Sequence, residues 1–194
     1  MEHEQEPDWE QIERMIQNCR RCGLCERRHS IVLGEGNRQA EVMLVGEGPG
    51  ADEDAQGRPF VGKAGQLLDK MFSAIDMRRE DLYITNVVKC RPPGNRTPLE
   101  EEARTCLPIL RMQYRLIRPK IVVCLGATAT RYVYDPEARI TRVRGQWLEK
   151  SGTFFLPTYH PAALLRDESK KKDVWQDLKS IAAKYAELDN GRSE

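Results

Sequence analysis

Apolar residues recur along the chain with two periods, and the switches between them mark the expected elements. Trp9, Ile12, Met15, Ile16 and Cys19 share one face of a helix that Asp8 would cap. Val42 to Val45 is an unbroken apolar run, as in a buried strand, and Gly46 to Gly57 reads as the loop after it. Ala64, Leu67, Leu68, Met71, Phe72 and Ile75 return to helical spacing, and Leu82 to Val88 is β-branched and aromatic, hence a second strand. Thr97-Pro98-Leu99-Glu100 combines a capping box with proline at the first helical position. That helix continues through Leu107, Leu110 and Ile117 until Arg118-Pro119 stops it. Ile121 to Leu125 and Thr153 to Pro157 supply a third and a fourth strand, with 135–152 irregular or hairpin-like between them. Val174, Leu178, Ile181, Tyr185 and Leu188 face one way on a last helix.

Strands alternating with helices predict an α/β fold, a three-layer αβα sandwich around a central, mainly parallel four-stranded sheet. One domain over 1–194 is expected, with residues 1–7 and 189–194 flexible. Such sheets bind ligands beyond the carboxyl ends of their strands. Glu47 after the first strand, Asn86 late in the second and His160 after the fourth all fall there, so one cleft is expected.

Composition narrows the class. A formal net charge of +1 excludes a grossly basic nucleic-acid binder but leaves room for a local basic face. The opening MEHEQEPDWEQ is acidic and polar, unlike a signal peptide, and no apolar run approaches the ~20 residues of a membrane span. A cytoplasmic monomer that contacts no membrane is the expectation. Reduced thiols follow for the six cysteines, at positions 19, 22, 25, 90, 106 and 124.

Cys19 and Cys22 form a C-x2-C pair, and Cys90 and Cys106 lie far along the chain. Four thiolates from two remote segments could hold zinc or an iron–sulfur cluster, and Cys25 could replace Cys22. The alternative is that Cys90 and Cys106 are small core residues, as Cys124 inside its apolar strand is expected to be.

Three stretches carry a resemblance: VGEGPGADEDAQGRPFVGKAGQLL, ITNVVKCRPPGNRTP and PTYHPAALLR. In this order they resemble the signature motifs of the family 4, iron–sulfur-containing uracil-DNA glycosylases, and the likeness runs from about Cys19 to the final helix. It implies the uracil-DNA glycosylase fold and hydrolysis of the uracil N-glycosidic bond in single- or double-stranded DNA, initiating base-excision repair. The family's C-x2-C-x-L pattern matches Cys19-Arg20-Arg21-Cys22-Gly23-Leu24. The resemblance therefore implies a structural [4Fe-4S] cluster on Cys19, Cys22, Cys90 and Cys106.

Residue chemistry and resemblance meet at the motifs. An amide such as that of Asn86 offers a donor and an acceptor matching uracil O4 and N3–H, and cytosine presents the opposite pattern. Phe60, in a loop between Pro59 and Val61, suits a stacking plate, and His160 a donor to uracil O2. Better-known superfamily members carry an aspartate where this chain has Gly48, which cannot act as a base. Glu53 and Glu47 compete for the water; Glu53 is the preferred one, with Glu47 and Gly48 in the uracil pocket. No lysine lies in the motifs as an evident Schiff-base nucleophile, so hydrolysis without strand cleavage is expected. Lys63, Lys89, Arg91, Arg96 and Arg166 are candidate DNA backbone contacts, and Thr128 could accept a phosphate at a helix N-terminus. Leu164 is the candidate wedge into the duplex, within Leu164-Leu165-Arg166.

Two other readings compete. Uracil-crosslinking relatives carry an added histidine in a basic insertion, whereas 126–152 here has arginines and no histidine. A non-catalytic binding module should lack Asn86 and His160 together.

Overall fold

The computed structural model describes residues 8–190. The expected flexible segments 1–7 and 191–194 lie outside the described residues, whereas 189 and 190 close the last helix. The sheet runs β1 (Glu35–Gly36), β3 (Tyr83–Asn86), β2 (Val42–Gly46), β4 (Ile121–Leu125), β6 (Thr153–Thr158), β5 (Leu148–Lys150). Its four central strands are parallel, as expected, but antiparallel β1 and β5 extend it to six. Those edge strands are two and three residues long, too short for any period to reveal them.

Alternation along β2 assigns the two faces. Met43 and Val45 pack with Val122, Cys124 and Phe155 under Leu107 and Leu110 of α4 (Glu100–Ile117). Val42 and Leu44 pack with Val123 and Leu156 under Leu68 and Phe72 of α3 (Lys63–Ser73) and Leu178 of α8 (Lys171–Asn190). Helices thus cover both faces, giving three layers. The helix α1 (Trp9–Gln17) is capped by Asp8, whose carboxylate accepts from the Gln11 N–H at 2.6 Å. Among the described residues no helix is long and apolar enough to cross a membrane.

Two local expectations shift. The acidic loop contains a short helix, α2 (Ala51–Gln56), because carboxylates are favourable in a first turn and Glu53 caps the Gly50 N–H at 3.1 Å. The fourth helix starts at Glu100 rather than at Pro98, since Glu102 accepts the Leu99 N–H at 2.8 Å.

Because β2 pairs with β3 on one side and β4 on the other, the chain reverses direction across the sheet at β2. The loop after β2 sits at that switch point and folds against the start of α3. There a Cβ on Gly65 would lie 1.9 Å from the Phe60 carbonyl oxygen, so only glycine lets α3 approach. Gly65→Ala is expected to lower stability by about 1–3 kcal/mol despite alanine's better helix propensity, as read from urea unfolding. An unchanged urea midpoint would contradict this packing.

Candidate active site

The carboxyl ends of β2, β3, β4 and β6 open into one cleft of about 710 Å³, lined by Glu47, Gly48, Glu53, Phe60, Asn86 and His160 among others. Every residue expected to touch the base or the water is therefore in one place. Asn86 is 1% exposed, and its Oδ1 is buried without a hydrogen-bond partner. Gly46 stands opposite Asn86 in the parallel register, and a Cβ there would lie 2.4 Å from Asn86 Oδ1 and 2.5 Å from Phe60 Cζ. Glycine at 46 keeps this corner open.

Phe60 has φ +51°, a left-handed backbone that an aromatic residue rarely adopts. Arg79 holds it there, donating to the carbonyls of Pro59 and Phe60 while ion-paired to Glu35 and Asp69. The Phe60 ring stacks on the His160 ring, with centroids 5.5 Å apart and planes 28° from parallel.

His160 caps the short helix α7 (Pro161–Arg166), and its Nδ1 accepts the Ala162 N–H at 3.1 Å. In the neutral ring the proton is then on Nε2, which is left as the donor. Burial, aided by nearby Arg166, pulls this imidazole down to about 4, so it is neutral at physiological pH.

The two competing carboxylates differ in their partners. Glu53 Oε1 accepts from the N–H groups of Val61 at 2.9 Å and Gly62 at 2.8 Å, and Oε2 from Gly50. Glu47 accepts from the Thr128 hydroxyl. Glu53 thus shapes its loop through three backbone amides, whereas Glu47 lines the cleft with a single side-chain tether.

A second cavity lies at the other end of the segment after β3. Cys19, Cys22, Cys25, Cys90 and Cys106 line it, together with Arg28 and Lys89 and with no histidine or carboxylate. Burial pushes the Cys90 thiol up to about 11 and raises Cys22 and Cys106, while Arg28 Nη1 donates to Cys90 Sγ at 3.3 Å. An all-sulfur donor set suits a thiolate-bound metal group, whose positive charge would offset the penalty that burial imposes on thiolates. Among the described residues no three histidine, cysteine or acidic side chains converge closely enough for a single ion. Cys124 is fully buried within β4, as expected of a core residue.

Residues 33–179 match the family model described as the uracil DNA glycosylase superfamily. The type-4 uracil-DNA glycosylase of Thermotoga maritima is 44% identical over 173 residues, covering 86% of this chain and 89% of that relative. The chain belongs to the type-4 uracil-DNA glycosylases. Their representatives in Archaeoglobus fulgidus and Sulfurisphaera tokodaii are each 44% identical, over 88% and 89% of this chain and 89% and 82% of their own lengths.

For this type-4 glycosylase the expected DNA contacts divide. Arg96 and Arg166 line the cleft, Arg96 being held by both oxygens of Glu102. Arg91 is half-buried and bonded to Asn95, and Lys63 is exposed at the start of α3. Lys89 is corrected: it is 1% exposed, with its ammonium on Thr85 Oγ1 at 2.7 Å and the Asn86 carbonyl at 2.6 Å. Thr128 is buried in α5 (Gly126–Ala129), where its hydroxyl serves Glu47 rather than a phosphate. Leu164 is also corrected. Pro161 and Leu164, three apart on α7, turn inward together, and Leu165 is the exposed leucine at 52%.

Sequence reasoning missed Arg79, Thr141 and Lys170. Thr141 lines the cleft from α6 (Ile140–Val143), in the segment read as irregular, and Lys170 lines it while paired to Asp167. A single turn of helix carries no readable period, and Arg79 acts on backbone carbonyls, which leave no motif.

The depressed His160 value has a measurable sign. Unfolded histidine titrates near 6.5, so between about 6.5 and 4 the unfolded chain binds a proton that the folded one refuses. Stability should fall as pH drops through that window. Urea midpoints at pH 7 and pH 5 should differ more for the wild type than for His160→Gln; equal differences would show that His160 is not held neutral.

Proposed function

We propose that this chain excises uracil from DNA, hydrolysing the bond between uracil N1 and deoxyribose C1′ to leave an abasic site. The observation that carries the reading is the unpartnered Oδ1 of Asn86, buried in the cleft that Phe60 and His160 also line. A buried acceptor without a donor is costly unless a ligand supplies one, and uracil N3–H is such a donor.

Extruding the base costs a few kcal/mol, which stacking on Phe60 and contacts to the strand offset. Asn86 then takes O4 and N3–H. His160 Nε2–H meets O2, where negative charge develops as the base departs. A neutral donor suffices, because the uracil anion needs stabilising rather than protonating. Glu47 takes the role for which Glu53 was the expectation: with one tether and an open side toward the cleft, it positions water at C1′. Its charge also favours the oxocarbenium-like sugar. Lys170 is the one lysine lining the cleft among the described residues, and its pairing with Asp167 supports hydrolysis without strand cleavage. On the rim, Arg96 and Arg166 grip phosphates, and Leu165 enters the duplex in the vacated space.

At the cysteines we propose a [4Fe-4S] cluster on Cys19, Cys22, Cys90 and Cys106. A single C-x2-C pair among these four supports a cluster over zinc, since cysteine-built zinc sites more often use two such pairs. Cys22 contributes to raising both Cys90 and Cys106, which supports it over Cys25 as the ligand. Held there, the group would cross-link the N-terminal segment to the turn after β3 and to α4.

Uracil-containing DNA incubated with the protein should break on alkali treatment, with no protein–DNA adduct on a denaturing gel. Intact DNA would remove the enzyme reading, and an adduct would favour the crosslinking one. Glu47→Ala should lose about 100-fold in single-turnover rate, whereas Glu53→Ala should lose stability as well as rate. Full activity in Glu47→Ala would return the water to Glu53. Cys25→Ala should keep brown colour and iron, and Cys22→Ala should lose both; the reverse outcome would exchange the ligands.

A further inference from the structure

Lys89 joins the two sites. Its ammonium donates to the Asn86 carbonyl at 2.6 Å and to Thr85 Oγ1 at 2.7 Å, closing the turn that follows β3. Its backbone carbonyl accepts the Val32 N–H at 2.8 Å. Cys90 is the next residue, and Lys89 is among the residues lining the cysteine cavity. Val87 and Val88 N–H groups meanwhile bond to the carbonyls of Gly46 and Glu47. A four-residue turn is thereby fixed at one end by the loop of the cleft and at the other by Val32, next to Cys90, with Lys89 closing it from inside.

We propose that Lys89 is a positioning residue for uracil recognition: its ammonium fixes the peptide of Asn86, and the backbone of Lys89, tied to Val32 and followed directly by Cys90, fixes that ammonium. The inference rests on uracil excision as proposed above and on a thiolate-bound group at the cysteines. Asn86 reads the base through two hydrogen bonds whose directions are set by its backbone, because the side chain is short and buried. Without the ammonium, the Asn86 carbonyl loses its donor inside the protein, and the peptide is free to rotate toward another. Misplacement of a contact group by about 1 Å costs on the order of 100-fold in rate.

Lys89→Met keeps the length and removes the donors. In the iron-loaded protein it should lower single-turnover kcat/KM on uracil-containing DNA by about 10–100-fold and weaken free uracil binding in calorimetry, with iron content unchanged. The decisive comparison is the same substitution in an Asn86→Ala background. A residue acting through Asn86 has nothing left to position there, so Lys89→Met should then change the rate by less than about 2-fold. Multiplying losses would show a general structural role and overturn the proposal, as would an unchanged rate for Lys89→Met alone. Should Lys89→Met lose iron or fail to fold, Thr85→Val removes the second acceptor and leaves the backbone of residue 89 intact. Its smaller loss should likewise vanish in the Asn86→Ala background, and persistence would count against the proposal. Wild-type protein that leaves uracil DNA uncut would instead remove the excision reading itself.

Discussion

Parallel pairing between β2 and β3, with Gly46 opposite Asn86, is the constraint on which the molecule depends. Parallel strands deliver their following loops to the same edge. That register therefore sets the acidic loop after Gly46 beside the turn after Asn86. The chain then crosses to β4 and β6, bringing Thr128 and His160 to the same edge from the other side. A slip of one residue would turn Asn86 away from the cleft and put Thr85, which is bonded to Leu33 and Lys89, in its place.

This arrangement links parts that lie far apart in sequence. Asp54, in the helix of the acidic loop, accepts from the backbone of His29 and Ser30, just after the first cysteines. Arg28 then reaches Cys90, and the carbonyl of Lys89 accepts from Val32. The cleft and the cysteine cavity share walls at both ends of one segment.

Much of this was legible in the sequence, for identifiable reasons. The four central strands are apolar runs bounded by turn residues, and Phe60, Asn86 and His160 sit in motifs dense enough to be read. What escaped was geometry invisible to residue type. A lysine beside an arginine in a proline-rich loop reads as solvent-facing, yet the turn at 86–89 sends Lys89 inward. Leu164 and Leu165 are chemically identical, and only the phase of α7 tells which one reaches solvent. Glu47 and Glu53 likewise differ through partners that the sequence does not pair, a hydroxyl 81 residues away in one case and three nearby amides in the other.

The left-handed backbone at Phe60 bears on how the cleft meets its substrate. Arg79 and the close approach of Gly65 hold this conformation from behind, so the backbone that carries the ring is braced without any help from a bound base. A wall braced in this way leaves an arriving base less to organise. Discrimination in such a slot works by refusal: a base that is too wide is not accommodated by a yielding wall, and it returns to the helix unread.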